Sequence, residues 1–291
     1  MAIKNPLRYP GAKSKLYEYV RDLLVQENLQ GCTFIEPFAG SCALSLKLLE
    51  NGVIEHAIVN ERDPLIYCFW VSVFEHTDEL LTLIENTPVT LDQWYHYAEY
   101  RNPENLFGRT VVEKGFAGLF LNRTNFSGIL NANPLGGKAQ ASQYTIDCRF
   151  NREKLMASVR QLSVFSDRIT VCNQDALEFM KQRLKNRKPH RFFVYIDPPY
   201  YKAGPELYRY YYTDADHKAL ANYIKPKTFP WLISYDDAPA IHELYETSTF
   251  VDLYMDYSVH TSRKGSELLI SNLEIPPLVQ EEQQQIVLNI G

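Results

Sequence analysis

Thr33-Phe34-Ile35-Glu36-Pro37-Phe38-Ala39-Gly40-Ser41 reads as a short buried strand, broken by proline, that opens into a tight turn of small residues. A helix is predicted directly behind it, from Ala43 to Leu49. Strand, turn and helix in that order are the unit of an open parallel sheet, which takes its ligands at the carboxyl ends of its strands. The alternation extends in both directions. Upstream, Leu16, Tyr19, Val20, Leu23 and Leu24 recur at helical spacing within Lys15 to Leu29, and Gly31 ends that helix. Downstream, Ala57-Ile58-Val59-Asn60-Glu61 supplies a second strand and Pro64 to Phe74 a helix. The pattern resumes with strand Ile169 to Cys172, helix Ala176 to Leu184, the apolar strand Phe192 to Ile196, a helix near Ala215 to Tyr223 and strand Trp231 to Tyr235. The end resembles a hairpin, with Leu253 to Val259, a turn at Arg263-Lys264-Gly265, then Leu268 to Ser271; Gln280 to Gln285 looks like a frayed tail. The expected class is α/β, a mostly parallel doubly wound sheet with a C-terminal antiparallel hairpin.

Between Pro88 and Arg152 the texture changes to clustered aromatics and then to an Asn-, Gly- and Thr-rich stretch, which reads as an insertion. The chain therefore divides into 1–87, 88–152 and 153–291. Its net charge of −5 excludes a nonspecific nucleic-acid coat, so any nucleic-acid surface must be local. Arg109 to Arg152 holds six cations against two anions, which makes it the candidate. The later run from Lys181 to Arg191 reads as a solvated helix end. Five cysteines without Cys-x-x-Cys spacing predict reduced thiols and no metal site. Neither a signal peptide nor an apolar span of about 20 residues is legible, so a cytoplasmic location is expected.

Gly40 permits close backbone approach of a ligand at the first turn, and Glu36 would attract a ligand's ammonium group. Glu61 stands 21 residues beyond Gly40, at the spacing of about 20 where an acid grips ribose hydroxyls. Alone, either feature is an ordinary βα turn with a solvated acid. Asp197-Pro198-Pro199-Tyr200, directly after the five-residue apolar strand, is more informative. Its two prolines lock φ and remove two N–H donors, so carbonyls and the Asp197 carboxylate remain as acceptors suited to an amine.

With Arg8-Tyr9-Pro10-Gly11-Ala12-Lys13, Phe34 to Gly40, Asn60-Glu61, Leu121-Asn122-Arg123-Thr124-Asn125-Phe126-Ser127-Gly128 and Asp197 to Tyr200 in that linear order, the chain resembles the DNA adenine methylase (Dam-like) family of N6-adenine methyltransferases. The resemblance implies a Rossmann-like S-adenosylmethionine-dependent fold with 88–152 as a target-recognition module. It implies Tyr9, Lys13, Glu36, Phe38, Gly40, Glu61, Asp175 and Asp197 as cofactor contacts, and Asp197, Pro198, Pro199 and Tyr200 as the catalytic loop, with Tyr200 stacking on a flipped adenine. Asn122, Arg123, Asn125 and Lys138 become candidates for DNA, Asn suiting adenine edges and Arg guanine edges, although Asn-rich loops also build turns. Double-stranded DNA is the implied partner, a cognate restriction endonuclease encoded alongside is admitted, and no metal is expected. The family commonly has glycine where Ala12 and Cys42 stand and aspartate where Glu61 stands. Two other readings stay open here: a methyltransferase of RNA or protein glutamine, and a catalytically silent DNA- or cofactor-binding protein.

Overall fold

The structure, a computed structural model, describes residues 3–8, 13–185, 187–188, 191–202, 204–258 and 262–276. Tyr9 and the run to Ala12, the residues 259–261 and the tail at Gln280 to Gln285 lie outside the described residues. The chain forms two compact units, Met1–Ala12 with Glu61–Asn173, and Lys13–Asn60 with Gln174–Gly291.

The second unit carries α1 (Tyr17–Gln26), β1 (Thr33–Glu36), α2 (Ala43–Glu50) and β2 (His56–Asn60) from its first segment. Its second segment adds α8 (Ala176–Arg183), β4 (Phe192–Ile196), α9 (Gly204–Leu207), α10 (Asp214–Ile224), β5 (Trp231–Asp236), α11 (Pro239–Leu244), β6 (Thr249–Ser258) and β7 (Ser262–Ser271). Strand order within it is β2-β1-β4-β5-β7-β6. The pairs β1–β2, β1–β4 and β4–β5 are parallel, and β7 is antiparallel to both β5 and β6. Phe34, Ile35, Phe193, Val194, Ile196, Leu232, Ile233, Leu269 and Ile270 have no exposed surface, which is why the central strands read as unbroken apolar runs. From β1 the chain winds outward to β2 on one side, and from β4 outward to β5 on the other, so the order reverses between β1 and β4. With Thr33 paired to Phe192 and Ile35 to Val194, both strands release their chains at the same end of this switch point.

The antiparallel hairpin is present, but its register corrects the expected turn. Met255 pairs with Gly265, Asp256 with Lys264 and Tyr257 with Arg263, so Arg263-Lys264-Gly265 lies inside β7 rather than at a tip. A Gly preceded by two cations resembles turn chemistry, but the ladder to β6 absorbs it.

The first unit is helical: α3 (Pro64–Glu75), α4 (Thr77–Asn86), α5 (Leu91–Ala98), α6 (Val111–Thr124) and α7 (Arg152–Ser163), followed by β3 (Ile169–Cys172). Asp63 caps α3 by accepting from Leu65 N, with Pro64 at the first helical position, and Thr110 with Glu113 forms a capping box on α6. Helix α6 was not legible in the sequence. It is buried on nearly every side, so it has no amphipathic stripe, and it carries Gly115 and Gly118. Those glycines set its approach to α3: a methyl on Gly115 would stand 2.6 Å from the Cys68 carbonyl oxygen, and one on Gly118 2.6 Å from that of Leu65. Gly118→Ala adds about 1 kcal/mol of helix propensity, yet wedging two backbones apart costs about 1–3 kcal/mol. A lower melting temperature is the expected result; an exposed glycine would give the opposite sign. No helix among the described residues is long and apolar enough to cross a membrane.

Candidate active site

Beyond β4 the chain turns at Asp197-Pro198-Pro199-Tyr200, and a set of side chains in the second unit fixes this corner. Ser234, on β5, donates to Asp197 Oδ1 at 2.7 Å and meets the Tyr195 hydroxyl at 2.8 Å. Lys13 Nζ reaches the same Oδ1 at 3.1 Å. Both contacts fall on Oδ1; among the described residues no partner holds Oδ2, and the side chain is 23% exposed. Lys13 also pairs with Glu267 Oε1 at 3.0 Å, to which the Tyr200 hydroxyl donates at 2.7 Å. The corner is closed from behind by Asp236, whose carboxylate accepts from the amides of Tyr201 and Lys202 at 2.7 and 3.0 Å. Burial pushes the Asp197 carboxyl up to about 6, Lys13 pulls it down, and Glu267 raises it further.

Ser234, Asp236 and Glu267 were not among the expected site residues. Glu267 carries a signal in hindsight: an acid directly before the apolar run Leu268-Leu269-Ile270, fully buried and paired in register with Asp236. A charge there is tolerated only against an opposite charge, and Lys13 supplies it.

The β1 turn emerges beside this corner. Gly40 and Cys42 take φ of +49° and +50°, so Cys42 occupies a left-handed position that glycine fills more easily. Asn60 braces the turn by donating to the Pro37 and Gln174 carbonyls at 3.0 and 3.1 Å, and Ala39 N donates to the Asn60 carbonyl at 2.9 Å. Phe38 packs edge-on against Tyr212, with ring centroids 5.3 Å apart. Glu36 is buried and accepts a hydrogen bond from Ser45. Burial pushes its carboxyl up to about 8, Ser45 opposes this, and nearby Asp197 adds to it. Asp175 accepts from Leu177 N and Glu178 N at 3.0 and 3.3 Å through one oxygen, capping α8.

These residues fit a cationic ligand. Asp197 and Glu267 are two acids on one buried cation, Lys13, with Glu36 held protonated near Asp197, so the pair leaves a net negative charge that a cationic ligand would balance. The raised Glu36 carboxyl has a consequence for stability. The folded chain holds this proton more tightly than the unfolded one, so stability is full below about 4.5 and declines as pH rises through about 8. Melting temperature should therefore fall across that window, and Glu36→Gln should flatten the decline. Equal slopes in both proteins would contradict the assignment.

In the first unit, Glu61 is buried; its Oε1 accepts from Asp63 N at 2.8 Å and its carbonyl from Asn173 Nδ2 at 2.6 Å. Asn122 and Asn125, expected at base edges, are each 1% exposed and build the loop instead. Asn122 Nδ2 donates to the carbonyls of Arg8 and Gly128, at 2.7 and 2.9 Å. Asn125 accepts from Trp94 Nε1 at 2.7 Å and donates to the carbonyls of Ile129 and Leu130. Arg123 is half-buried, and Lys138 is exposed. Among the described residues no group of three or more His, Cys, Asp or Glu is placed to hold a metal.

The chain is 23% identical, over 259 residues, to the Type II methyltransferase M.CviBI of Paramecium bursaria Chlorella virus NC1A, covering 84% of this chain and 88% of that protein. Among solved structures it aligns with a Haemophilus influenzae methylase at 16% identity and a TM-score of 0.37, covering 89% of each chain. A class I S-adenosylmethionine-dependent methyltransferase of Listeria monocytogenes gives 10% identity and 0.38, over 95% of this chain and 65% of that one. Scores this low decide nothing about this chain. The family model for D12 class N6 adenine-specific DNA methyltransferases, by contrast, matches residues 9–263. This protein belongs to that family, and its activity is methylation of adenine in DNA.

Proposed function

We propose that the protein transfers a methyl group from S-adenosylmethionine to the N6 amino group of an adenine flipped out of double-stranded DNA at a specific sequence. The observation that carries this reading is the orientation of Asp197 at the switch point between β1 and β4: Ser234 and Lys13 hold Oδ1, and Oδ2 remains for a donor. An adenine amine has two N–H bonds. Donating one to Asp197 Oδ2 and the other to the Pro198 carbonyl turns its lone pair away from the corner. S-adenosylmethionine supplies the electrophilic methyl when bound. Glu36, Phe38, Gly40 and the β1 turn would hold its amino-acid part, and Asp175 its adenosine part. Alignment and the acceptor dipoles stabilise the charge that develops on nitrogen. The surplus proton leaves once nitrogen is alkylated, and Asp197, raised to about 6, takes it and passes it to solvent.

A stacked adenine cannot present its amine in line, so extrusion, at a few kcal/mol, precedes transfer. Tyr200, fixed through its hydroxyl to Glu267, is the ring against which the base rests. We assign target recognition to 88–152. The Type II name of the viral relative supports a restriction-modification setting with a cognate endonuclease, and a DNA substrate suits a cytoplasmic protein. Incubation with methyl-labelled cofactor and duplex DNA should yield labelled N6-methyladenine after digestion. A duplex with 2-aminopurine at the target position should brighten on binding. Label confined to RNA or protein overturns the substrate, and methylation without any fluorescence rise overturns extrusion.

A further inference from the structure

Arg8, Arg123 and Arg149 are drawn together in the first unit, and among the described residues no acid pairs with them. Arg8 is clamped by its backbone: its N–H donates to Asn122 Oδ1 at 2.8 Å, and its carbonyl accepts from Asn122 Nδ2 at 2.7 Å. Gly128, at φ +75°, lies against the same carbonyl and the Arg8 Cβ, so closely that no side chain fits there. Arg123 follows Asn122 directly, and its Nε donates to the Arg149 carbonyl at 2.9 Å. Three positions distant in sequence are thereby drawn together.

Clustered cations in a folded protein are ordinarily neutralised by Asp or Glu. Here, among the described residues, no carboxylate stands within ion-pair distance of Arg8, Arg123 or Arg149. The nearest acid in sequence, Asp147, accepts from the Thr145 hydroxyl at 2.6 Å. Burial, then Arg8 and Arg149, push Arg123 down to about 10, and burial followed by Arg149 lowers Arg8. At neutral pH Arg123 still carries its charge, so the cluster holds a repulsion that an anion would relieve.

We propose that Arg8, Arg123 and Arg149 form a binding site for a DNA phosphodiester, drawing the backbone onto the first unit. The Nε bond to Arg149 fixes the Arg123 guanidinium and leaves its terminal nitrogens, the fork that grips phosphate oxygens in pairs. Partial burial favours phosphate over base. A half-buried guanidinium does not reach the floor of a groove, whereas phosphates at the groove rim come to it. Arg8 and Arg123 are half-buried and Arg149 is exposed, so the charge forms a path inward from solvent.

The inference rests on the DNA substrate, and its test separates the two. Affinity of wild type, Arg149→Gln and Arg123→Gln for fluorescent mixed-sequence duplex is measured from about 50 to 200 mM salt. The methylated word in fragmented phage DNA is read by long-read sequencing. Each substitution should weaken binding roughly tenfold at low salt, lower the salt slope by about 1 and leave the word unchanged. Cys148, the one exposed cysteine of the five, precedes Arg149 and should be protected by DNA from maleimide in the wild type. Arg149 is exposed, so its variant folds and keeps the test decisive if Arg123→Gln does not. Unchanged slope and affinity in Arg149→Gln, with wild type active on DNA, overturn the phosphate site alone. A changed word with an unchanged slope does the same, by making the arginines base readers. Absence of wild-type binding and methylation on any DNA overturns the substrate and the site together.

Discussion

Asp197→Ala should lower the single-turnover rate of methyl transfer by about 10²–10³-fold, the range lost when one oriented polar group is removed from a reacting centre. The loss arises at the reacting nitrogen. Asp197 Oδ2 is the acceptor left open by Ser234 and Lys13, and without it the amine has one acceptor and a wandering lone pair. Stability should change little, because Lys13 keeps its bond to Glu267 and only a partly exposed carboxylate is removed. A rate within threefold of wild type, in protein that melts normally, would sink the proposed contact.

Lys13→Met should be strongly destabilising to the second unit. It strands Glu267, which has no exposed surface, beside Asp197, and breaking a buried pair by removing one partner costs about 3–5 kcal/mol. The melting temperature should fall by roughly 6 °C or more for a chain of this size. The pH profile should move as well. Activity requires the Asp197 carboxylate and is lost as pH falls through about 6; Lys13 holds that value down, so its removal shifts the acid limb upward. Lys13→Met with Glu267→Gln removes both charges and should recover much of the stability, a departure from additivity that reports direct coupling. Melting curves and rate profiles check each step. An unmoved acid limb would show that Lys13 does not govern Asp197.

The α/β class and the positions of β1, β4 and β5 were legible because those strands are buried on both faces, so the apolar run is the signal. The acidic corner at Asp197 was legible because two prolines mark it. What stayed hidden was long-range. Nothing near Lys13 in sequence announces that it lies 254 residues from its partner Glu267 and pairs with it. Helix α6 was hidden because burial on all sides erased its periodicity. Asn122 and Asn125 carry the side chains of base readers and of loop builders alike; burial distinguished the two, and a sequence does not print burial. The turn at Arg263-Lys264-Gly265 was misplaced because strand register is set by the partner strand, not by local residue chemistry.

A structure of the full chain with a duplex and a cofactor analogue lacking the transferable methyl tests the central claim most directly. The adenine N6 should lie within about 3.2 Å of both Asp197 Oδ2 and the Pro198 carbonyl oxygen, with the base out of the helix and its amine facing the analogue. An adenine still stacked in the duplex, or an amine held by other acceptors while Asp197 Oδ2 faces solvent, would contradict it.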